Sequence, residues 1–520
     1  MKFLLLLAAV SLIGCKTQRA ETPFVASTPP NVIIILADDI GYGDLSCYGE
    51  STISTPHVDK LSEGGIRFTN AHTTAATCTP SRYSLLTGDY NWRRTDTGIA
   101  DGDAPMVIKP GQSTLAQVFR SAGYHTGVVG KWHLGLGDTK GGQDWNGYIS
   151  PGPKDIGFDY SYIMAATGDR VPCVWIENHA VANYDPEAPI SVSYTTPFGG
   201  EPLGREHPEL LTKLRPSPNH GHDQAIVNGI SRIGYMKGGG KALWQDENIA
   251  DTIASKAVQF IEKNKKTPFF LYVGTNDIHV PRYPHSRFAG KSGMGHRGDA
   301  ILQFDWTVGE IVQALERNHL MDNTLVIITS DNGPVINDGY DDQSVELLGE
   351  HRPWADFHPN GGKYSNFTAG TRVPFIVHWQ KSVSARESDA LVSQVDLYAS
   401  MAALVNCEKP QNEAIDSQNV LEALLGKSEK GRAYVIASAG SLSIHDGTWK
   451  YIVPNQRNSY NPLTNTQLGN SPADQLYNIA NDKAEQYNVA EQYPEEVSRL
   501  KNWLNAEINN CKYKLKMDAL

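Results

Sequence analysis

This 520-residue chain is short of cysteine, has no excess of positive charge, and carries no low-complexity stretch or fixed-period repeat. Each shortage excludes something. Its six cysteines are scattered without the close spacing of a metal knot, so neither a zinc module nor a disulfide-stapled scaffold is indicated. Lys and Arg total 46 against 57 Asp and Glu, a net charge of −11, and no Lys/Arg run is visible. A polyphosphate needs a basic stripe, so the charge weighs against a nucleic-acid partner, although a few local cations would still hold a small anion. Apolar residues at 40% and charged residues at 20% are ordinary globular usage and exclude disorder. The length exceeds what one core comfortably fills, which predicts a large domain with a smaller companion.

The first fifteen residues, MKFLLLLAAVSLIGC, pair Lys2 with an apolar run from Phe3 to Ile13. That run is too short to span a bilayer and reads as a targeting segment. Its ending is similar to the lipobox of bacterial lipoproteins, with Cys15 as the lipidated residue; the other reading is an ordinary cleaved signal peptide. Both predict export to the periplasm or outer membrane of a Gram-negative bacterium, with membrane contact only through the anchor or signal.

After a polar leader at 16–30, NVIIILADD and LVIITSDNGP are short β-branched runs that end in carboxylates and amides. Such runs predict buried parallel strands with functional groups at their carboxyl ends. GYHTGVVG, FFLYVGTN and VPFIVHW are further candidate strands, and TLAQVFRSAG and IADTIASKAVQFIEKN are amphipathic helices between them. The alternation predicts a mostly parallel, doubly wound α/β sheet over 31–430, which binds ligands beyond its strand ends. From about Gly431 the shorter runs AYVIASAG and WKYIVPN, followed by the helical PEEVSRLKNWLNAEI, predict a small antiparallel α+β domain over 431–520.

Asp38, Asp39, Asp331 and Asn332 each follow a predicted strand. Hard oxygen donors without thiolate or imidazole suit Ca²⁺ or Mg²⁺ better than zinc, while either pair alone is equally an ordinary turn former. Cys78 precedes Pro80, a residue favoured in a first helical turn, so the cysteine sits near a helix N-terminus where an anion or a low-pKa thiolate would be stabilised.

The stretch CTPSRYSLLTG closely resembles the signature of the type I sulfatases, in the alkaline-phosphatase-like superfamily, in which C-x-P-S-R directs oxidation of the cysteine to formylglycine (3-oxoalanine). ILADDIGYGD, VVGKWHLGLG, NDIHVP, SDNGP, GGKYSNFTAGTRVP and the C-terminal QLYNIANDKAEQYNVA resemble further family segments in order. The resemblance implies an alkaline-phosphatase-like fold and a sulfuric ester hydrolase. It implies that Cys78 is converted by a sulfatase-maturing enzyme, and that one Ca²⁺ is held by Asp38, Asp39, Asp331, Asn332 and the modified Cys78. A serine that captured a sulfuryl group would be trapped as an alkyl sulfate. Hydrated formylglycine attacks with one hydroxyl and expels sulfate through the other. By the same resemblance Arg82 and Lys131 stabilise that side chain, His133 serves its second hydroxyl, and His279 and Lys363 face the ester oxygen, with His279 as general acid. Thr368 departs from the pattern, since relatives commonly carry Glu there. With Cys15 and Cys78 assigned, Cys47, Cys173, Cys407 and Cys511 are expected as free, buried thiols, although three disulfide pairings remain open to them.

Between Gly168 and Asp246, GDRVPCVWIENH and PNHGHDQ are dense in hydrogen-bonding groups. Asp169, Arg170, His220, His222 and Asp223 are therefore candidate contacts to a sugar, or else loop scaffolding. The stretch from Asp338 to Gly361 is a candidate pocket edge. Together these features predict a carbohydrate sulfatase acting on a sulfated glycan, with a galactose-type sugar preferred, in polysaccharide degradation. A phosphonate or phosphate ester hydrolase of the same superfamily, and a catalytically silent glycan-binding lipoprotein, are the alternatives.

Overall fold

The computed structural model describes residues 29–49, 52–349 and 359–510. The signal segment with Cys15, most of the leader, and Cys511 lie outside the described residues. A ten-stranded sheet forms the body of the molecule. Its centre is five parallel strands in the spatial order Thr324–Ser330, Asn31–Ala37, Phe269–Gly274, His125–Lys131 and Tyr160–Met164. The first four were read from the sequence as strands, the first two as β-branched runs, whereas Tyr160–Met164 was not; all are almost wholly buried because both faces of a parallel sheet are covered. Toward the edges the pairing turns antiparallel: Phe375–His378 runs against Thr324–Ser330, and Trp175–Glu177 against Tyr160–Met164. At the outermost edge Arg386–Ser388 again runs parallel to Ile66–Phe68, so the sheet is mixed around a parallel centre.

Two helices show the double winding. Phe119, on helix Leu115–Ser121, stacks on Phe270 with ring centres 4.3 Å apart. Phe260, on helix Ile249–Asn264, occupies the space over Gly127, where an added Cβ would stand 2.5 Å from its ring. Phe270 pairs with Thr126, the neighbour of Gly127, and side chains alternate along a strand. The two helices therefore cover opposite faces. Helix Leu115–Ser121 opens with Thr114 and Gln117 capping each other's backbone N–H, which explains where the helix begins.

A second sheet of four antiparallel strands, Val435–Ser438, Leu442–His445, Trp449–Ile452 and Gln475–Asn478, is covered by helix Pro494–Asn509. Its core is shared with the large domain, since Tyr90, Trp92 and Val395 pack among Ile436, Leu476 and Leu500. Arg93 adds a buried ion pair to Asp416 at 2.5 Å and reaches the Glu507 carbonyl at 3.1 Å. The cysteines depart from expectation in part: Cys173 is buried, but Cys47 and Cys407 are only half-buried, and all three are free thiols. Among the described residues no helix is long and apolar enough to cross a membrane.

Candidate active site

Each of the five central strands delivers a polar residue just beyond its carboxyl end. Ala37 and Ser330 are register partners, so Asp38–Asp39 and Asp331–Asn332 emerge side by side. Lys131 closes its strand and His133 follows at φ 56°, His279 follows Phe269–Gly274, and Asp169–Arg170 follow Tyr160–Met164. Loops at this end of an open α/β sheet are where ligands bind. Cys78 begins helix Cys78–Thr87, which Gly88 ends in a left-handed turn at φ 71°.

The charged groups interlock, and nearly all are buried. Lys131 Nζ bonds to Asp38 and lies 4.0 Å from Asp331. Arg82 donates from Nε to Asp331 at 2.9 Å and from Nη1 to the Lys131 carbonyl at 3.1 Å. Lys363 bridges Asp39 at 2.9 Å and Asp338 at 2.8 Å, and Asn332 donates to Asp39 at 2.7 Å. Burial, and then the Asp331 charge, push the Asp38 carboxyl well above the usual range. Burial also pushes Asp39 up, but Lys363 and Lys131 outweigh it and hold that carboxyl low.

This set fits a hard cation. Asp38 Oδ1 and Asn332 Oδ1 are buried with no hydrogen-bond partner, although such atoms in protein interiors are almost always satisfied. Asp38, Asp39 and His279 also present ligand atoms within 4.8 Å of one another. With a divalent ion the buried cluster turns net positive, which favours an anionic ester in the space beyond it.

That space is a pocket of about 240 Å³ in which Cys78 meets His279, Lys363, Asp169 and Arg170. Burial raises the Cys78 thiol despite Lys131 and Lys363 nearby, so the helix start does not make it a reactive thiolate. His279 donates from Nδ1 to the Val280 carbonyl at 2.7 Å. Burial, with Lys363 and Lys131, holds its pKa well below the ordinary value, so its Nε2 is bare in the resting site. His133 is likewise kept neutral by burial and Lys131; it donates from Nε2 to Ala100 at 2.9 Å, leaving a buried, unpartnered Nδ1.

In the same pocket lining His222 bonds Asp169 at 3.0 Å, and Arg170 pairs with the same carboxylate at 2.8 Å. Burial raises Asp169, but Arg170 and His222 outweigh it and hold it well below the carboxylate range. His222 fits there because Gly339 has no side chain; a Cβ would stand 2.2 Å from the ring. His220 also lines the pocket. Asp223 does not: it is half-exposed and faces Arg205 at 3.7 Å. A side chain in a turn-rich loop points where the turn sends it, which spacing does not reveal. Thr368 likewise does not line the pocket and is buried against Lys450 and Glu485.

Several contributors were not named from the sequence as site residues. Asp338 holds both Lys363 and the Tyr364 hydroxyl, the latter at 3.0 Å. Tyr364 itself lines the pocket, as do Asn461, Leu463 and Thr464 from the C-terminal domain. The carboxylate heads the stretch read as a pocket edge, and Tyr364 follows the second lysine directly. The turn at 461–464 has no sequence signal of a site.

Comparisons with known proteins give the family of the chain. The family model described as Sulfatase matches residues 30–407. The chain is 51% identical over 508 residues to an N-acetylgalactosamine-6-O-sulfatase of Bacteroides thetaiotaomicron, covering 97% of this chain and 98% of that one. It is 30% identical to the human steryl-sulfatase, over 78% of this chain and 71% of the relative. A solved structure from a study of the metabolism of multiple glycosaminoglycans by Bacteroides thetaiotaomicron superposes with a TM-score of 0.90 at 52% identity, covering 92% of this chain and 99% of that one. With the fold, the buried acidic cluster and these likenesses in agreement, the chain belongs to the sulfatase family and is a sulfuric ester hydrolase.

Proposed function

We propose that the protein removes a 6-O-sulfate from N-acetylgalactosamine, or from a sugar of galactose configuration, in a sulfated glycan, with Ca²⁺ and with formylglycine formed from Cys78. The observation that carries this reading is the composition of the pocket. Cys78, Lys363 and His279 share its lining with the linked set His222–Asp169–Arg170. Its volume lies below the ~300–1,000 Å³ of sites that enclose drug-sized ligands, so it suits one sugar ring. The likeness to the N-acetylgalactosamine-6-O-sulfatase supports the choice of sugar. Conversion of Cys78 requires a maturing enzyme, and the amino-terminal segment supports export.

When bound, Ca²⁺ would be held by Asp38, Asp39, Asp331 and Asn332 and would polarise the sulfate oxygens. Formylglycine at position 78 supplies the attacking hydroxyl. Lys131 and Arg82 hold Asp38 and Asp331 in register for both. Lys363, fixed between Asp39 and Asp338, offers positive charge to the bridging ester oxygen. His133 Nδ1, bare and buried, receives a proton as sulfate departs. His279 Nε2 takes up a proton when the anionic ester enters beside Lys363, and passes it to the leaving sugar oxygen.

Two outcomes follow in the pocket. His279→Ala is expected to lower kcat/KM for a sugar sulfate by about 10²–10⁴-fold, the usual contribution of a positioned acid. The same variant should cost an activated aryl sulfate such as 4-nitrocatechol sulfate far less, because a phenolate leaves without a proton. Equal losses on both substrates would remove His279 from the acid role. His222→Ala releases Asp169 and Arg170, and roughly ten- to thousandfold of kcat/KM on the sugar sulfate should go, with little change on the aryl ester. A matching loss on the aryl ester would mean that His222 supports the catalytic centre instead of the sugar. The test of the whole reading is release of sulfate from N-acetylgalactosamine-6-sulfate, with its 4-sulfated isomer and a 6-phosphate ester as comparisons. Preference for either comparison would contradict it.

A further inference from the structure

A second cavity opens beside the first. It is a groove of about 550 Å³, and Tyr364 and Asn461 line both spaces. One side comes from the segment after helix Cys78–Thr87, including Arg94, and the other from the C-terminal domain, including Gly440, Arg457 and Asn458. Whatever is attached to a sugar in the small pocket has this groove as its neighbouring space.

The charge of the groove runs against that of the protein. The chain is net −11, yet the described residues that line this cavity include two arginines and no carboxylate. Arg94 is paired with the exposed Asp96 at 2.5 Å, which offsets its charge. Arg457 is different. Its backbone N–H bonds Asn455, and its side chain crosses Gly440, where a Cβ would stand 3.5 Å from Cδ and 3.6 Å from Nη1. Its guanidinium has no carboxylate partner among the described residues. A guanidinium displayed this way offers paired N–H donors to a planar carboxylate or to a sulfate.

The groove is also tied to the catalytic loop. Asn470 Oδ1 accepts from Asn366 at 2.8 Å and from Asn455 at 3.0 Å, while its Nδ2 donates to the Asn458 carbonyl at 2.8 Å. Ser365 Oγ donates to the Gln467 carbonyl at 2.7 Å, and Asn366 N to the Leu468 carbonyl at 2.9 Å. The loop carrying Lys363 and Tyr364 and the turn carrying Arg457 are thus bonded into one body. A ligand that bridges them meets partners already spaced, so little ordering is required on binding.

From the cavity, the charge and this bonding we infer that the groove binds the next sugar of the glycan chain and that Arg457 selects an anionic one, bearing a carboxylate or a sulfate. The inference rests on the glycan reading under Proposed function and extends it to the neighbouring residue of the substrate.

The experiment compares four substrates: N-acetylgalactosamine-6-sulfate alone, and the same sugar linked to glucuronate, to 6-sulfated N-acetylglucosamine, or to neutral glucose. The matured wild-type enzyme should favour at least one charged disaccharide over the glucose one, and which one it favours identifies the anion. Arg457→Ala should cut kcat/KM on the favoured charged disaccharide roughly ten- to hundredfold, the scale of a charge-assisted hydrogen bond. It should leave the monosaccharide and the glucose disaccharide unchanged, which also certifies the variant's fold. Arg457→Lys should recover part of the loss. No preference for charge in the wild type, or an equal loss on all four substrates, would overturn the groove assignment while leaving the sulfatase reading intact. Absence of turnover of the monosaccharide by wild type would instead sink the sugar assignment, and the groove assignment with it.

Discussion

Cys78→Ala is expected to reduce turnover of every sulfate ester by at least about 10⁴-fold, the scale of losing a covalent nucleophile, while the protein still folds. The physical case starts from burial. Cys78 is 2% exposed at the first position of its helix, and the unmodified thiol is pushed above its ordinary pKa, so it is neither an exposed residue nor an activated thiolate. Yet Lys131 and Lys363 act on it electrostatically, and His279 and Arg170 share its pocket. So much machinery around an inert thiol makes sense if the thiol is a precursor. Shortening a small buried side chain by one or two heavy atoms costs about 1–2 kcal/mol of stability, so a thermal melt close to wild type should accompany the lost activity. A variant that keeps more than about 1% of kcat/KM would contradict the assignment.

Removal of the cation is the second large effect. Exhaustive chelation should cost about 10³-fold or more in kcat/KM, since a Lewis acid contributes several kcal/mol of transition-state stabilisation. Added Ca²⁺ should restore it. Asp38→Asn keeps the shape but removes a charge from a cluster in which Asp38 Oδ1 has no hydrogen-bond partner, so it should weaken metal binding most directly. A readout independent of activity is available. Ca²⁺ at about 100 times its Kd should stabilise the wild type by about 2.7 kcal/mol, seen as a higher melting temperature, and the variant should not respond at the same concentration. Full activity in chelator, or an equal thermal response in both proteins, would show that the oxygen cluster serves some other purpose.

Two strands at the centre of the fold were legible because they are continuous β-branched runs, whereas Tyr160–Met164, with its mixed YSYIM, was not read. NVIIILA and TLVIITS are buried on both faces, and each ends where a carboxylate begins. That same pattern exposed the cluster of oxygen donors, since adjacent parallel strands bring the residues after them together. The long helix Gly295–Arg317 was not legible. Gly298 and Gly309 interrupt it, and Gly309 is there because His57 lies 2.7 Å from where a Cβ would be. Buried Arg297, Asp299 and Asp305 break the apolar stripe; Arg297 is paired with Asp44 at 2.6 Å, a partner 253 residues away. Charges satisfied by distant partners look like a solvated face in a sequence.

The site divides along the same line. Asp169, Arg170 and His222 were named because polar residues cluster in their loops, and the structure joins them through one carboxylate. Asp223 was named on the same ground and turned outward to Arg205. Asn461, Leu463 and Thr464 reach the pocket only because the C-terminal sheet docks through Tyr90, Trp92 and Arg93, a tertiary event without periodic signal. Arg457 shares that origin.

The most direct test of the account is the chemistry of residue 78 in active protein. Trypsin should release Phe68–Arg82 as one peptide. From enzyme co-produced with a maturation system, its mass should show an aldehyde in place of the thiol, trappable by a hydrazide, and the converted fraction should track specific activity across preparations. A fully active preparation in which Cys78 is only a thiol would contradict the account.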